Sequence, residues 1–264
     1  FNNELDRFED AKNGDETKRT LKIRSQEMEN KLRIDVNKYI KGWKFSYGIM
    51  AQFVKYNTDL YNKLSSVIID SLGNQLVPPV EIKFKSAIEL FKYGAFTQVA
   101  KNIFNEKLLV SFGLRSDMNS FLSDGNNPIN SLSPRLSFAY HLNKKVDLTA
   151  SIGRYYKIPT YTTMGYKNEN SEYINKSMKY IQSNHLVLGT QYLPNEALRF
   201  TFEGFYKQYS NYPISISNGS SLANQGGNFG SIGSEAITSI GEGKTFGFEF
   251  FVQQKLLKRL FYVV

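Results

Sequence analysis

The segment Ser133–Leu142 reads SPRLSFAYHL, and its apolar and polar side chains alternate from one residue to the next. One face carries Leu136, Phe138, Tyr140 and Leu142, and the opposite face carries Arg135, Ser137, Ala139 and His141. A period of two indicates a β-strand with two chemically different faces. The segment 146–153 repeats the pattern after the short link 143–145. The two segments therefore predict an antiparallel hairpin of amphipathic strands.

Comparable segments recur on both sides of this hairpin, and short connections alternate with long ones. We predict strands near residues 29–37, 43–55, 88–100, 107–115, 133–142, 146–153, 185–193, 198–209 and 244–254, with a last strand that begins at Leu260. Short turns are predicted near 41–42, 143–145, 194–196 and 257–258, and long loops near 57–86, 117–132, 157–182 and 211–243. Residues 1–19 carry no clear period and are predicted to form a loop.

This succession of strands and connections is typical of one class of membrane protein. Amphipathic strands with short turns at one end and long loops at the other are what a transmembrane β-barrel requires. We therefore predict an all-β fold, an antiparallel transmembrane β-barrel that is present only as a partial barrel of about ten strands. The segment Phe261–Val264 would form an unpaired apolar edge, so the sequence is expected to be a piece of a larger barrel.

The composition excludes several other classes of protein. The chain has 264 residues and no cysteine, which excludes disulfides and thiol chemistry. No apolar run reaches the roughly eighteen residues of a transmembrane helix, and the mean hydropathy is only −0.39. The net charge is +9, but the basic residues are scattered singly, which disfavours nucleic-acid binding. A barrel lumen, or a rim that faces anionic lipid head groups, explains scattered positive charge better.

Several short segments resemble the barrel domain of TonB-dependent outer-membrane receptors. The resemblance begins with residues 133–140 (SPRLSFAY) and 153–161 (GRYYKIPTY), and it continues in 188–192 (LGTQY) and 203–207 (EGFYK). Residues 30–35 (NKLRID) resemble the same family, and the content of Asn, Tyr and Lys is similar to members from Bacteroidetes-type bacteria.

The resemblance implies a 22-stranded barrel with an N-terminal plug and a segment that contacts TonB. Residues 1–264 would then form part of one barrel domain in the cell outer membrane, without the plug and the remaining strands. The partners that follow from it are outer-membrane lipid, the plug of the same full-length chain, the TonB complex through the N-terminal part, and a small-molecule or oligomeric nutrient.

Charged side chains on the inward face of the predicted strands are candidate lumen residues. They would contact the plug or guide an anionic substrate, but for any single residue a polar lumen face without a specific ligand is the favoured explanation, because barrel interiors are polar in any case. The lumen candidates are Arg115, Arg135, Arg199, Glu203, Lys207 and Glu249.

Tyrosines in and beside the predicted long loops are candidate ligand-binding residues. Tyrosine offers rigid contact area and a hydroxyl at a low entropic cost, but loop packing or an aromatic girdle at the membrane interface would use the same residues. The candidates for substrate binding are Tyr161, Tyr166, Tyr173, Tyr209 and Tyr212.

The sequence gives no reason to expect an enzyme. It contains no G-x-S-x-G element, no HExxH helix and no P-loop. His141 and His185 have no further metal ligands nearby in the sequence, so we predict no catalytic residue, metal site or cofactor.

Three functions remain open for such a barrel. The resemblance favours a TonB-dependent active importer of a siderophore, haem, cobalamin, a glycan or a similar ligand. The alternatives are a passive porin-like channel, or a structural or adhesive barrel whose loops bind a partner while the lumen carries nothing.

Overall fold

A computed structural model describes residues 2–9, 15–65, 68–69, 75–77, 80–225, 233–257 and 260–263. The strands are β1 (Asn2–Phe8), β2 (Arg19–Ile40), β3 (Trp43–Ser65), β4 (Ile68–Ile69), β5 (Gln75–Val77), β6 (Val80–Ile103), β7 (Leu108–Asn119), β8 (Ser133–Asn143), β9 (Val146–Lys157), β10 (Ile181–Asn195), β11 (Leu198–Ser215), β12 (Ile237–Leu257) and β13 (Leu260–Val263). The helices are one short α-helix, α1 (Tyr161–Met164), and the 3₁₀ turns Glu16–Lys18, Pro128–Ser131 and Asn175–Ser177. No helix among the described residues has the length and apolar character needed to cross a membrane.

Eleven of these strands form one open sheet in which every neighbouring pair is antiparallel. The order is β1-β2-β3-β6-β7-β8-β9-β10-β11-β12-β13, so chain neighbours are also sheet neighbours except where the small β4–β5 hairpin intervenes. The prediction of an all-β, antiparallel, partial barrel is therefore confirmed, with eleven strands in place of about ten.

Several strands extend further than the alternation in the sequence predicts. β2 begins at Arg19 rather than near residue 29, β3 continues to Ser65, and β6 already begins at Val80. The predicted loop at 1–19 contains β1, which pairs with β2 from Asn2 to Phe8. The Pro78-Pro79 pair, which suggested a long loop there, lies outside the described residues.

The outer face of the sheet carries an apolar belt of membrane thickness. On β3 its outward side chains run from Trp43 to Phe53, a rise of about 33 Å at roughly 3.3 Å per residue, or about 25 Å along the normal of a barrel whose strands tilt by about 40°. The belt ends where the rings of Phe53 and Phe91 lie 5.1 Å apart. At the next pair of residues on the same face, two positions further along the strands, Lys55 Nζ lies 2.8 Å from Glu89 Oε1. The strands therefore continue past the lipid into a charged environment.

The turns at the opposite end are held by local chemistry. Lys41 and Gly42 both have positive φ angles, 48° and 79°, the backbone that a two-residue type I′ hairpin turn requires. Asn143 Oδ1 accepts hydrogen bonds from the backbone N–H groups of Lys145 and Val146 at 2.8 and 3.0 Å. Asn195 caps the β10–β11 turn in the same way. These short turns fix the register of the hairpins.

The orientation of the sheet gives a first testable expectation. The chain has no cysteine, so single cysteines introduced at Ser123 in a long loop and at Lys144 in a short turn report accessibility cleanly. A membrane-impermeant maleimide on intact cells should label Ser123→Cys and should label Lys144→Cys only after lysis, because short turns face the periplasm. The reverse labelling pattern would invert the orientation.

Candidate binding surface on the inner face

The inner face of the sheet is divided into two halves, which we call the loop half and the turn half. In the loop half, Val54, Ile88 and Leu90 are at most 1% exposed beneath the long loops. Leu122, Met164 and Met178 from two long loops, and Ile237 from the start of β12, complete the same cluster, which we call the loop core. In the turn half, the inward side chains of Arg199 and Glu249 are exposed. The inward side chain of Arg135, near the loop end of β8, is exposed as well.

The loop 158–180 crosses the inner face and is fastened to strands far from its own ends. Lys92 Nζ donates to the Tyr161 hydroxyl at 2.6 Å, and that hydroxyl donates to Glu29 Oε1 at 2.9 Å. Burial and the hydrogen bond to Glu29 raise the pKa of Tyr161, so its hydroxyl stays protonated and remains a donor. Ser86 Oγ adds a bond to the Gly165 carbonyl at 2.6 Å. The loop is thus a fixed part of the inner surface.

The other tyrosines predicted to bind substrate lie in different settings. Tyr166 stacks on Phe84 at 6.4 Å, against a second buried cluster. Tyr173 donates its hydroxyl to the Ala87 carbonyl at 2.5 Å and contacts Phe121 edge-on at 5.2 Å. Tyr209 and Tyr212 belong to β11, where they pair with Gly243 and Gly241. Their contribution to ligand binding stays a prediction.

Two buried asparagines hold the loops together, and no sequence pattern indicates either of them. Asn175 is 2% exposed; its amide donates to the carbonyls of Thr163 and Glu235, both at 2.8 Å, and its oxygen accepts from the Ile237 N–H. Asn119 is fully buried and donates to the Tyr180 hydroxyl at 2.7 Å. Asparagine is common in exposed loops, so its presence in a loop sequence does not show whether the side chain is buried in a structural role or solvated.

A cavity of about 750 Å³ opens beside the loop core. This is within the size range of small-molecule sites, about 300–1,000 Å³. Its inner-face lining includes one row of directly paired hydrogen-bonding residues that crosses four strands, and the loop contributes a cation and a further hydroxyl. The row is Asn3, Ser25, Thr58 and Ser86, and the loop residues are Lys167 and Ser171. Such a lining suits a polar ligand that accepts and donates several hydrogen bonds.

Two of the predicted lumen cations pack on aromatic rings. The Arg135 guanidinium lies 4.2 Å from the ring centroid of Tyr155, whose ring lies 4.4 Å from that of His185. Gly153 leaves room for this stack, because a Cβ there would lie 3.1 Å from the Tyr155 ring and 3.2 Å from Arg135 Cγ. Lys207 Nζ lies 4.6 Å from the Phe205 ring centroid. The stacking holds both cations against the wall.

The remaining lumen candidates differ in how their charge is balanced. Arg115 is paired with Asp117, with Nε 2.6 Å from Oδ2, and the Arg199 guanidinium lies 5.9 Å from the Phe251 ring centroid. Glu203 and Glu249 are direct partners across β11 and β12. Among the described residues neither carboxylate has an ion-pair partner. Like charges directly opposite each other on a sheet are destabilising, so this pair favours a cationic partner.

The described part of the chain holds no group of three or more His, Cys, Asp or Glu side chains that could bind a metal ion. His141 lies in a pair with Asp147, with Nδ1 2.6 Å from Oδ1, and His185 contacts Ser183. The two histidines therefore have separate partners.

Comparisons with known proteins agree on the architecture. A family model described as "TonB dependent receptor-like, beta-barrel" matches residues 2–262. Among solved structures, the copper transporter OprC is 17% identical with a TM-score of 0.58 over 90% of this chain and 36% of that chain. The Escherichia coli outer membrane transporter YddB is 14% identical with a TM-score of 0.55, over 92% of this chain and 33% of its own.

A third structure is that of the pyoverdine receptor FpvA from Pseudomonas aeruginosa PAO1 bound to pyoverdine. It is 16% identical with a TM-score of 0.58, over 90% of this chain and 34% of its own. The chain thus spans about a third of the length of these structures. No curated protein matched the sequence.

Proposed function

The chain belongs to the family of TonB-dependent receptor-like β-barrels, and from that premise we propose that it forms the barrel wall and binding loops of an active importer. Members of this family are outer-membrane receptors and transporters, so the chain lies in the outer membrane. The proposal concerns the activity of the whole receptor, in which TonB supplies energy from the inner membrane.

The division of the inner face is the observation that carries this proposal. A porin-like channel needs a water-filled lumen at its extracellular end, whereas here the loops cover that end of the inner face with the apolar loop core. The 750 Å³ cavity beside the loop core then serves as the ligand pocket. A receptor that first binds and then transports its cargo needs a pocket beside ordered loops, which this arrangement offers.

We assign the turn half of the inner face to the plug. Its exposed polar side chains need a covering surface, and the facing carboxylates of Glu203 and Glu249 favour a cationic group on that surface. The cations Arg135 and Lys207, held on aromatic rings, lie on the same face and suit an adjacent acidic or polar group. The plug would therefore dock on this surface through charged groups opposite in sign to the carboxylates and cations of the wall.

The lining of the cavity favours a polar, anionic cargo. Hydroxyl and amide groups of Asn3, Ser25 and Thr58 offer hydrogen bonds, and Lys167 offers a positive charge. Siderophores, phosphorylated nutrients and acidic glycans share this chemistry. The tyrosines at 161, 166 and 173 would act by holding the loop that carries Lys167, and Tyr209 and Tyr212 would line the mouth from β11.

The bacterial source of the chain and its lack of enzymatic activity are also proposals. The content of Asn, Tyr and Lys favours a Bacteroidetes-type source. The absence of catalytic motifs from the sequence favours a receptor without enzymatic activity.

The decisive experiment compares ligand binding with uptake in cells that carry the full-length receptor. Removing TonB or collapsing the proton-motive force should reduce uptake of the cognate ligand to background, while binding at the cell surface is unchanged. Uptake that continues undiminished without TonB would favour the passive channel. Surface binding that is followed by no TonB-dependent uptake in any condition would favour the adhesive barrel.

A further inference from the structure

A second cavity lies between the loops, apart from the cavity that we assign to the imported ligand. It has a volume of about 290 Å³, close to the lower end of the range of small-molecule sites. Its lining comes from the loops 117–132 and 158–180 and from β9, β10 and β11. None of the described residues lines both cavities. This second cavity, which we call the loop pocket, is therefore a separate candidate site.

The backbone on both sides of the loop pocket is held in place by hydrogen bonds between the loops. The Ser123 N–H donates to the Lys176 carbonyl at 2.8 Å, and the Tyr180 hydroxyl donates to the Gly125 carbonyl at 3.2 Å. The same hydroxyl accepts a hydrogen bond from the fully buried Asn119 at 2.7 Å. Because these bonds join the two loops, the pocket is already formed without a ligand, which lowers the cost of binding.

Two charges of opposite sign border the loop pocket without neutralising each other. Asp124 lies between the two anchored residues of its loop, and Lys179 lies between the buried residues Met178 and Tyr180. Among the described residues neither Asp124 nor Lys179 has an ion-pair partner, so they are not paired with each other either. The pocket therefore offers one anionic and one cationic contact to a ligand.

The rest of the lining combines apolar side chains with amides. Leu122 and Met178 of the loop core are 3% and 5% exposed, whereas Ile129 is 73% exposed. The exposed surface of Ile129 offers apolar area that a bound ligand would cover. Tyr156 donates to Gln182 Oε1 at 3.1 Å, which leaves the amide nitrogen of Gln182 to donate to a ligand.

We propose that the loop pocket binds a small zwitterion with an apolar side chain, an α-amino acid or a dipeptide. The ammonium group of the ligand contacts Asp124, its carboxylate contacts Lys179, and its side chain packs on Ile129. Hydrogen bonds between charged groups are stronger than neutral ones, so a zwitterion gains more here than a neutral sugar, which would use mainly the amides. Since the two cavities share no lining residue, this inference does not depend on the proposed import.

The test measures the binding of leucine, dileucine and glucose to full-length receptor in detergent, by titration with ligand-observed NMR. Leucine or dileucine should bind and glucose should not, and the tighter of the two identifies the ligand as an amino acid or a peptide. Asp124→Asn and Lys179→Gln should each weaken binding of that probe about tenfold, the effect of losing one hydrogen bond to a charged group.

Two derivatives of the bound probe distinguish direct contacts from an indirect effect on the loops. The N-acetylated form lacks the ammonium group, and the amidated form lacks the carboxylate. Asp124→Asn should leave the affinity for the N-acetylated form unchanged, and Lys179→Gln should leave the affinity for the amidated form unchanged, because the contact in question is already missing. If each variant weakens its matching derivative as strongly as it weakens the parent probe, the assigned contacts are wrong.

Lys176→Gln and Glu169→Gln are the matched controls, because each removes a charge from the loop 158–180 outside the lining of the pocket. Both should bind the probe as the unmodified receptor does, and all variants should retain the thermal transition of the folded barrel. Unchanged affinity in both Asp124→Asn and Lys179→Gln would overturn the proposal. Binding of neither leucine nor dileucine, or equally tight binding of glucose, would also overturn it.

Discussion

The substitution Phe138→Arg should destabilise the folded barrel by about 2–4 kcal/mol, whereas Ser137→Arg should cost much less. The two residues are neighbours in β8, so they lie at the same depth in the membrane. Phe138 belongs to the outward row that continues through Val110 and Ala150, and Ser137 lies on the inner face between Ser111 and Ser151. An arginine at 138 would face hydrocarbon, and one at 137 would face a polar lumen.

The measurement is a urea titration of full-length receptor folded into phospholipid vesicles, with folding followed by heat-modifiable electrophoretic mobility. Two further variants control for the size of the side chain: Phe138→Leu and Ser137→Leu should each change the free energy of unfolding by less than Phe138→Arg does. Equal costs for arginine at 137 and 138 would contradict the assignment of the two faces.

The hairpin around these residues is the part of the fold that the sequence predicts best. β8 and β9 begin at the predicted residues 133 and 146, because lipid on one side and a polar lumen on the other impose strict alternation. The alternation predicts that β3 ends near Lys55, where the outward apolar side chains end, but the strand continues to Ser65. Beyond the belt, both faces of the sheet border polar surroundings. Apolar and polar side chains therefore no longer alternate along the chain, and the sequence pattern does not indicate a strand there.

The loop core illustrates what the sequence alone could not provide. Tyr161 contacts Glu29 across 132 residues and Lys92 across 69 residues. Leu122 and Met178 come from irregular segments and Met164 ends the short helix α1, so the three residues share no common period. Their burial is decided by which loops fold inward, a property of the assembled sheet. The sequence indicates the loop tyrosines as a group, but it does not indicate their hydrogen-bond partners on β2 and β6.

The substitution Met164→Asp should release the loop 158–180 from the inner face. Met164 is fully buried in the loop core against Val54, Ile88 and Leu90. An aspartate there would leave a cavity and a desolvated carboxylate, at a cost of about 3 kcal/mol or more. This cost raises the population of the open loop about a hundredfold, since each 1.4 kcal/mol corresponds to a factor of ten. The strands, whose hydrogen bonds are unaffected, should remain folded.

Limited trypsin digestion of intact cells measures the release directly, because Lys167 and Lys176 lie within the loop. Cleavage there should accelerate strongly in Met164→Asp, and affinity for the cognate ligand should fall because Lys167 no longer borders the cavity. Ile174→Asp is the matched control, since Ile174 lies in the same loop but is 41% exposed and should tolerate a carboxylate. If both variants resist trypsin equally while Met164→Asp remains folded, the loop is not held by the loop core. If Met164→Asp is cleaved rapidly yet binds ligand normally, the binding surface lies elsewhere on the barrel, and the loop only closes its mouth.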